Sequence, residues 1–452
     1  MRVPWGGNEA TNSYWEEPIP TATQTTAGRV VFPAFRSTCR AATRIDQQTI
    51  VSESVFSNNH LQSRGIRAMI SSQDRRQFHQ QSLLAAATLL QPPAKKRRLC
   101  VIGATGRGDY GHGLDTAFAH RTDVELVAVA DANAAGLKKA TERLKAPKSY
   151  SDYRKILEVE KPELVVVAAR HSDQHFSMGM AAVNAGAHIY MEKPFMPTLV
   201  EADGLLKAAH EKGLKIAVAH QMRMEPSVTA LKKAIGAGQL GDLLEIHAWG
   251  KQDNARAGGE DMIVLGTHLF DLMRLFGGNV KWCQAGVTQS GKEITKANAR
   301  LTKDLVGPVA GDEVTAQFGF DHGVVGTFNS RAKLREAAGP WGLEIIGTKG
   351  SARVLTNVPA QVFVKSITPW NAEGHIDTWK RPAGPVAPSS FALANARLVD
   401  DLIVAIEERR EPECSGQNAM KAIEMVMGVY QSALSHSRVV FPLMERSHPL
   451  IG

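Results

Sequence analysis

The sequence predicts an α/β protein with an N-terminal doubly wound parallel sheet of the Rossmann type and a C-terminal α+β domain with a mostly antiparallel sheet. Two observations predict this architecture. Between residues 98 and 222, short apolar runs alternate with segments of helical spacing, which is typical of strand–helix–strand units in a parallel sheet. After residue 242 the stretch VTAQFGF, DHG, VVGTFNSRA alternates apolar and polar residues around a turn, which indicates a hairpin.

The parallel sheet is predicted from five apolar runs separated by helical segments. The predicted strands are RRLCVIG, VELVAVAD, PELVVVAA, HIYMEKPF and LKIAVAHQMR. The predicted helices between them are LDTAFAHRT, HFSMGMAAVNAG and VEADGLLKAAHEKG, and two further amphipathic helices are predicted in 391–435. In such a sheet, ligands bind at the carboxyl ends of the strands.

We divide the chain into five segments by composition and pattern. Residues 1–68 are rich in Ser, Thr, Asn and Gln and are predicted to be disordered, or to be an extension upstream of the true start. The other four segments are a signal-like stretch with a linker (69–97), the nucleotide-binding domain (98–222), the α+β substrate and dimerisation domain (223–446), whose last helices are expected to pack back on the first domain, and a tail (447–452).

The basic net charge belongs to the leader. Residues 1–98 contain thirteen Lys or Arg and six Asp or Glu, so they account for +7 of the formal net charge of +8 and leave +1 for the rest. A nearly neutral globular part argues against a basic nucleic-acid-binding face, and we expect no nucleic-acid partner.

The stretch that begins at Met69 resembles a twin-arginine export signal. Arg75 and Arg76 precede Phe78 and a short apolar run, and small residues follow in a cleavage-like pattern. The protein is therefore expected to be periplasmic or exported if the signal functions, and cytoplasmic otherwise; a plain N-terminal helix and a transit peptide remain alternatives. No run of about 18 apolar residues is present, so no membrane span is expected.

The four cysteines give neither a disulfide framework nor a metal site. Cys39, Cys100, Cys283 and Cys414 are far apart in the sequence, and no CxxC pair occurs.

The glycine-rich turn GATGRGDYG after the first predicted strand is typical of a dinucleotide site. Glycines allow a close approach of the backbone to a pyrophosphate, and a following helix would offer free N–H groups to it. Asp131 ends the second strand and suits a ribose 2′-hydroxyl, which favours NAD over NADP. The pattern is imperfect because Thr105 occupies the position of the middle glycine. The candidate cofactor-binding residues of this turn are Gly103, Thr105, Gly106, Arg107 and Gly108.

The order of GATGRG, VAVAD, HIYMEKP and LGTHLFDLMRLFGG resembles the Gfo/Idh/MocA family of nicotinamide-dependent oxidoreductases, over residues 98–446. By this resemblance Lys193 is the catalytic lysine, the Lys193–Pro194 bond is cis, and the protein is a homodimer or homotetramer that pairs through its second sheet. A fixed ammonium would stabilise an alkoxide that develops as hydride leaves a carbinol carbon. In relatives the loop after PELVVVAA borders the nicotinamide, which implies cofactor contacts for His175 and Arg170; Arg170 could meet a phosphate or an acidic substrate, with a solvated loop residue as the alternative. Glu192, next to Lys193, is a further candidate cofactor-binding residue.

The segment RAGGEDMIVLGTHLFDLMR matches the active-site helix of that family, in which an acid precedes a histidine by one turn. Here His268 is present but Val264 stands in the position of the acid. His268 is expected to be the general base. Glu260 and Asp261 are candidates for substrate contact, with a helix-capping role as the alternative, and Asp271 is expected to orient the imidazole of His268. His220 and Arg223, just past a strand end, are candidates for binding substrate hydroxyls.

The resulting hypothesis is an NAD-dependent dehydrogenase that oxidises a secondary hydroxyl of a sugar, sugar acid or cyclitol. Two alternatives remain open from the sequence. One is a relative that retains NAD and cleaves a glycosidic bond by elimination without net redox. The other is a non-catalytic NAD- and sugar-binding protein in which Val264 marks lost chemistry.

Overall fold

A computed structural model describes residues 95–332, 334, 341–356, 358–366, 378–384 and 386–451. The predicted extension 1–68 and all of the signal-like segment 69–97 except its last three residues lie outside these ranges. Both therefore stay predictions.

The first domain contains a six-stranded parallel sheet of order β3-β2-β1-β4-β5-β6, which confirms the predicted Rossmann-type sheet. Its strands are β1 Arg97–Ile102, β2 Val124–Ala130, β3 Ser149–Tyr150, β4 Leu164–Val167, β5 His188–Met191 and β6 Ile216–Val218. All four residues of β4 are buried, as expected for a parallel strand covered on both faces. The order reverses between β1 and β4, so the ends of these strands form the switch point where ligands bind.

Four α-helices connect these strands, and three short 3₁₀ turns lie at the strand ends. The helices are α1 Ala134–Leu144, α2 Tyr153–Glu160, α3 His175–Asn184 and α4 Leu199–Glu211. The 3₁₀ turns are Leu114–Thr116, Ser172–Gln174 and Gln221–Met224.

The α-helix predicted over LDTAFAHRT is wrong. Leu114–Thr116 form one 3₁₀ turn, and the next backbone bond, from Ala119 N to Thr116 O, again spans only three residues. Gly111 and Gly113 have φ angles of 64° and 79°, so the chain turns repeatedly just where the helix would have to begin. No helix N-terminus therefore follows the glycine-rich loop, and a bound phosphate would depend on loop N–H groups and side chains.

The second domain contains a nine-stranded, mostly antiparallel sheet of order β16-β15-β14-β7-β13-β12-β8-β17, with β9 paired to β8, as predicted. The β7–β13 pair is parallel, and β12 and β13 form the predicted hairpin. A separate two-stranded sheet joins β10 and β11. The strands are β7 Leu243–Trp249, β8 Val280–Gln289, β9 Lys292–Glu293, β10 Arg300–Leu301, β11 Pro308–Val309, β12 Glu313–Phe320, β13 Val325–Arg331, β14 Gly342–Gly347, β15 Gly350–Leu355, β16 Gln361–Ser366 and β17 Val439–Val440.

Five α-helices and two 3₁₀ turns complete this part of the chain. The helices are α5 Pro226–Gly236, α6 Gly259–Val264, α7 Gly266–Gly277, α8 Phe391–Glu408 and α9 Gly416–Ser435, and the 3₁₀ turns are Lys296–Asn298 and Asp321–Gly323. The two predicted C-terminal helices are α8 and α9. The predicted active-site helix is two helices, because the chain breaks at Leu265 between α6 and α7.

The side chain of Asn395 ties α8 to the first sheet. Its Oδ1 accepts hydrogen bonds from the Tyr190 hydroxyl at 2.8 Å and from Gln221 Nε2 at 3.0 Å, and its Nδ2 donates to the carbonyl of His112 at 2.9 Å. One buried amide therefore connects β5, the turn after β6 and the glycine-rich loop. Among the described residues, no helix is long and apolar enough to cross a membrane.

Candidate active site

Lys193 lies two residues after β5 and is only 7% exposed. Its Nζ donates a hydrogen bond to the carbonyl oxygen of Val264 at 3.1 Å, and the Lys193–Pro194 bond is cis, as predicted. Burial lowers the pKa of Lys193, whereas the nearby carboxylates of Glu192 and Asp304 oppose that effect. A cation from the first domain is thus held against the end of α6 in the second.

Glu192, a candidate cofactor-binding residue, is fully buried and bound by groups of the protein. One carboxylate oxygen accepts from the Lys193 backbone N–H at 2.6 Å, and the other contacts His112 Nδ1 at 2.6 Å. A Cβ on Gly111 would lie 2.7 Å from Glu192 Cγ, so only glycine fits there. Burial alone would raise the pKa of Glu192, but the hydrogen bond and charge of His112 bring it below its usual value. Glu192 therefore connects His112, just after the glycine-rich loop, to the backbone of Lys193.

Two histidines lie together near Lys193. The rings of His220 and His268 have centroids 5.4 Å apart in an edge-on arrangement, and His220 Nε2 and His268 Nδ1 are buried with no hydrogen-bond partner among the described residues. Burial lowers the pKa of His220 to about 4, and burial together with the charge of Lys193 holds that of His268 well below its usual value. Both imidazoles are therefore neutral near pH 7 and keep a nitrogen available to accept a proton.

The predicted role of Asp271 needs correction. Its carboxylate accepts three hydrogen bonds from Arg223, at 2.7, 2.9 and 3.1 Å, and its Oδ1 lies 3.8 Å from His220 Nδ1, which is too far for a hydrogen bond. Asp271 is thus committed to Arg223 and acts on His220 through its charge. Arg223, predicted to bind substrate, is 9% exposed and committed to this ion pair, so its role is structural.

Glu260 and Asp261 do not replace the acid missing at Val264. Asp261 is fully buried and accepts from the Ser330 hydroxyl at 2.6 Å and from Gln252 N at 3.0 Å. Glu260 Oε2 pairs with Arg300 Nη1 at 3.1 Å. Both side chains serve interactions inside the second domain rather than substrate contact.

Two charged residues that no sequence pattern singles out, Asp304 and Arg256, lie near the lysine. Asp304 comes from the loop between β10 and β11, and its carboxylate lies 3.8 Å from His171 Nε2 and 3.7 Å from Arg256 Nη1. Asp304 and Arg256 both act electrostatically on Lys193. Asp304 is thus a carboxylate near Lys193 that no strand-end or helix pattern would have revealed.

Trp341 adds an aromatic wall to the histidine pair. Its ring centroid lies 6.1 Å from that of His268, and the side chain is 9% exposed. No pattern in the sequence predicts this contact, because Trp341 lies far along the chain from the helix that carries His268.

A cleft of about 270 Å³ opens where β1, β2 and β3 end. The glycine-rich loop forms one wall of it. At Gly106, with φ 84°, an added Cβ would meet nothing within 4 Å, and Arg107 Nε is buried without an acceptor among the described residues. An open backbone beside an unpaired guanidinium N–H fits a dinucleotide phosphate. Asp131 follows β2 in this cleft, but its carboxylate is only 2% exposed and accepts from Thr105 and the Tyr110 hydroxyl.

His175 and Arg170 hold the loop after β4 in place. His175 is fully buried, and its ring nitrogens lie 3.0 Å from the Phe195 carbonyl and 2.7 Å from the Ala169 carbonyl, so it supports the site without reaching a cofactor. Arg170 Nε donates to the Gly108 carbonyl at 3.3 Å, and a Cβ on Gly108 would lie 2.6 Å from the Arg170 backbone N. The close approach of these two loops requires glycine at position 108.

The family models match both domains. Residues 97–220 match an oxidoreductase family with an NAD-binding Rossmann fold, and residues 232–441 match the C-terminal alpha/beta domain of the same family.

Curated relatives and solved structures agree with this match. The chain is 24% identical to D-apiose dehydrogenase of Paraburkholderia graminis over 72% of this chain and 86% of that protein. It is 28% identical to levoglucosan dehydrogenase of Pseudarthrobacter phenanthrenivorans over 49% of this chain and 63% of that protein. A 37% identical match to the uncharacterised oxidoreductase YhhX of Escherichia coli covers 22% of this chain and only 28% of that protein. A levoglucosan dehydrogenase structure in complex with NADH and levoglucosan superposes with a TM-score of 0.63 at 23% identity, over 77% of this chain and all of that one.

We predict that Asp271→Asn destabilises the fold by about 3 kcal/mol, because the buried guanidinium of Arg223 would lose its charged partner. Chemical unfolding measures this change. The matched control is Asp400→Asn, which removes an acid whose side chain is 45% exposed and paired with Arg121, and which should cost less than about 1 kcal/mol. Equal losses in the two variants would contradict the structural role assigned to Asp271.

Stability should also fall at acid pH through His220. The folded-state pKa of about 4 lies below the ordinary value of 6.5, so the unfolded chain binds the proton first as the pH falls. The neutral ring makes its full contribution to the free energy of unfolding above pH 6.5, and this contribution is lost as the pH falls toward 4. The loss is at most about 3 kcal/mol. Urea unfolding measures the free energy of unfolding at about pH 7 and about pH 5. The decrease between the two pH values should be smaller in His220→Gln than in the unmodified chain. The exposed control His210→Gln should behave like the unmodified chain; an unchanged loss in His220→Gln would refute the prediction.

Proposed function

We infer that this chain, which belongs to the Gfo/Idh/MocA family of oxidoreductases, is an NAD-dependent dehydrogenase that oxidises a secondary hydroxyl of a sugar, sugar acid or cyclitol. The observation that carries the proposal is the buried ammonium of Lys193 beside two neutral imidazoles. The relatives named dehydrogenases of D-apiose and levoglucosan support the substrate class.

Lys193 is arranged to stabilise negative charge on a substrate oxygen. An ammonium has three N–H donors, and Nζ uses one of them on the Val264 carbonyl. The remaining donors serve the hydroxyl oxygen as it loses its proton, in a site where burial strengthens the interaction. Valine at position 264 leaves the lysine without a direct carboxylate partner on α6, so its charge stays available to the substrate.

His268 accepts the hydroxyl proton. The low pKa keeps its ring neutral, and a neutral imidazole has one nitrogen that can accept a proton. His220 lies beside it with a ring centroid 5.4 Å away and is neutral as well. Thr105, Arg107 and Gly106 of the glycine-rich loop would hold NAD, which supplies the hydride acceptor when bound.

The proposal extends to assembly and location. We propose a homodimer or homotetramer that pairs through the outer face of the nine-stranded sheet, and export by the twin-arginine route from the Arg75–Arg76 motif. Light scattering of the purified chain tests the first proposal. Fractionation of cells that produce the chain or an Arg75→Lys, Arg76→Lys variant tests the second, since only the unmodified chain should leave the cytoplasm.

The experiment for the activity is to incubate the full chain with NAD and a panel of neutral sugars, sugar acids, cyclitols and glycosides, while following the absorbance of reduced nicotinamide. Lasting reduction with a free sugar, sugar acid or cyclitol supports the dehydrogenase. Cleavage of a glycoside with the cofactor returned oxidised would replace it with an elimination mechanism, and no response from any substrate would contradict both.

Lys193→Met should lower kcat/KM by at least about a hundredfold, because the transition-state alkoxide loses its charged donor. NAD binding should change little. Lys212→Met is the matched control: Lys212 also donates to a backbone carbonyl, that of Val183 at 3.1 Å, but it lies at the end of α4. A Lys193→Met enzyme with the activity of the Lys212→Met control would exclude the catalytic role.

A further inference from the structure

The carboxylate of Asp131, at the end of β2, accepts hydrogen bonds from other groups of the protein. Asp131 is 2% exposed, and its Oδ1 accepts from Asn133 N at 2.9 Å and from Thr105 N at 3.2 Å. Its Oδ2 accepts from Thr105 Oγ1 at 2.6 Å, from Thr105 N at 3.0 Å and from the Tyr110 hydroxyl at 3.0 Å. A carboxylate has about four lone-pair sites, so these donors leave none free for a ribose hydroxyl.

Thr105 supplies the shortest of these contacts and is wedged in place. A Cβ on Gly136 of α1 would lie 1.9 Å from Thr105 Oγ1, so the threonine occupies space that only a glycine opposite leaves open. A glycine at position 105, as in the regular GxGxxG pattern, has no hydroxyl and would leave one oxygen of Asp131 with fewer donors.

The Tyr110 side chain encloses the carboxylate of Asp131 from the other side. Its ring lies where a Cβ on Gly103 would be, 2.2 Å from the ring carbon Cε1, and the guanidinium of Arg143 covers the ring at 4.9 Å from its centroid. Arg143 also pairs with Asp115, so the ring is held by an ion pair as well as by packing. The inner part of the glycine-rich loop is thus built around the carboxylate of Asp131.

The remaining charges of the cleft are mixed. Arg107 and Arg154 line it. Arg107 pairs through Nη2 with Asp173, and Arg154 lies over the ring of Tyr153 with its Nη1 3.6 Å from Asp152. An acid that reads the ribose would repel a 2′-phosphate, but here the acid is enclosed by donors while two guanidinium groups, each with an acid beside it, line the same cleft.

We propose that Asp131 is a positioning residue of the glycine-rich loop, fixed by Thr105 and Tyr110, and that the cleft therefore binds 2′-phosphorylated and unphosphorylated nicotinamide dinucleotides with Kd values within about tenfold of each other. This inference rests on the dinucleotide-binding part of the proposed function and on none of its substrate chemistry. By this proposal Thr105, which encloses Asp131, rather than Asp131 itself, determines how strongly the cleft distinguishes the two dinucleotides.

The test is equilibrium binding of NADH and NADPH to the full chain by calorimetry, without substrate. The ratio of the two Kd values should lie within about tenfold. In Asp131→Asn both affinities should fall together as the loop loosens, so the ratio should change by less than about fivefold. A larger change, with NADPH gaining on NADH, would overturn the inference, since it would mean that the acid meets the ribose.

A second variant decides the matter if Asp131→Asn does not fold. Thr105→Val keeps the branched shape against Gly136 and removes the hydroxyl, and Tyr110→Phe removes the other side-chain donor. Together they should remove two of the three donors to Asp131 Oδ2, leaving only Thr105 N, and shift selectivity toward NADH by at least about fivefold; an unchanged ratio would contradict the role of Thr105. If neither dinucleotide binds, the inference and the cofactor assignment both fail, whereas intact binding without sugar oxidation would refute only the dehydrogenase proposal.

Discussion

The enclosure of one ammonium group, that of Lys193, is the constraint on which the site depends. A buried cation must be compensated, and here the compensation comes from several elements: the Val264 carbonyl at the end of α6, the Glu192 carboxylate and Asp304 on a loop of the second domain. Lys193 follows β5 of the first domain. Its hydrogen bond to the Val264 carbonyl therefore fixes α6 at the carboxyl ends of the parallel strands. His268 on α7 takes its position from the same junction.

The two acids that act on this lysine make no direct contact with Nζ. Glu192 is bound by His112, and the carboxylate of Asp304 lies 3.8 Å from His171 and 3.7 Å from Arg256, so both act on the ammonium through their charge alone. Two neutral rings lie near the cation. This arrangement favours negative charge on a substrate oxygen, which agrees with the loss of a hydroxyl proton and explains how the site can operate with Val264 in the place of the usual acid.

Apolar runs predict most strands, and the end of one such run correctly places Lys193 just past a strand end, whereas its catalytic role stays a prediction. Sequence patterns do not predict a contact where several groups compete for the same side chain. Asp271 was assigned to His268 from helical spacing, but a buried Arg223 competes more strongly for the carboxylate. The helix after the glycine-rich loop was predicted from apolar spacing, which does not register the turns imposed by left-handed glycines. Asp304 was missed because its partners are far away in the chain.

The site depends on two buried imidazoles that remain neutral beside the lysine. The direct measurement is ¹⁵N NMR of histidine-labelled protein from about pH 8 to about pH 5, with the signals of His220 and His268 assigned by single His→Gln variants. Both residues should keep neutral-ring chemical shifts across this range. Titration of either ring near its ordinary pKa of 6.5 would show that burial does not desolvate it and would contradict a neutral pair beside Lys193.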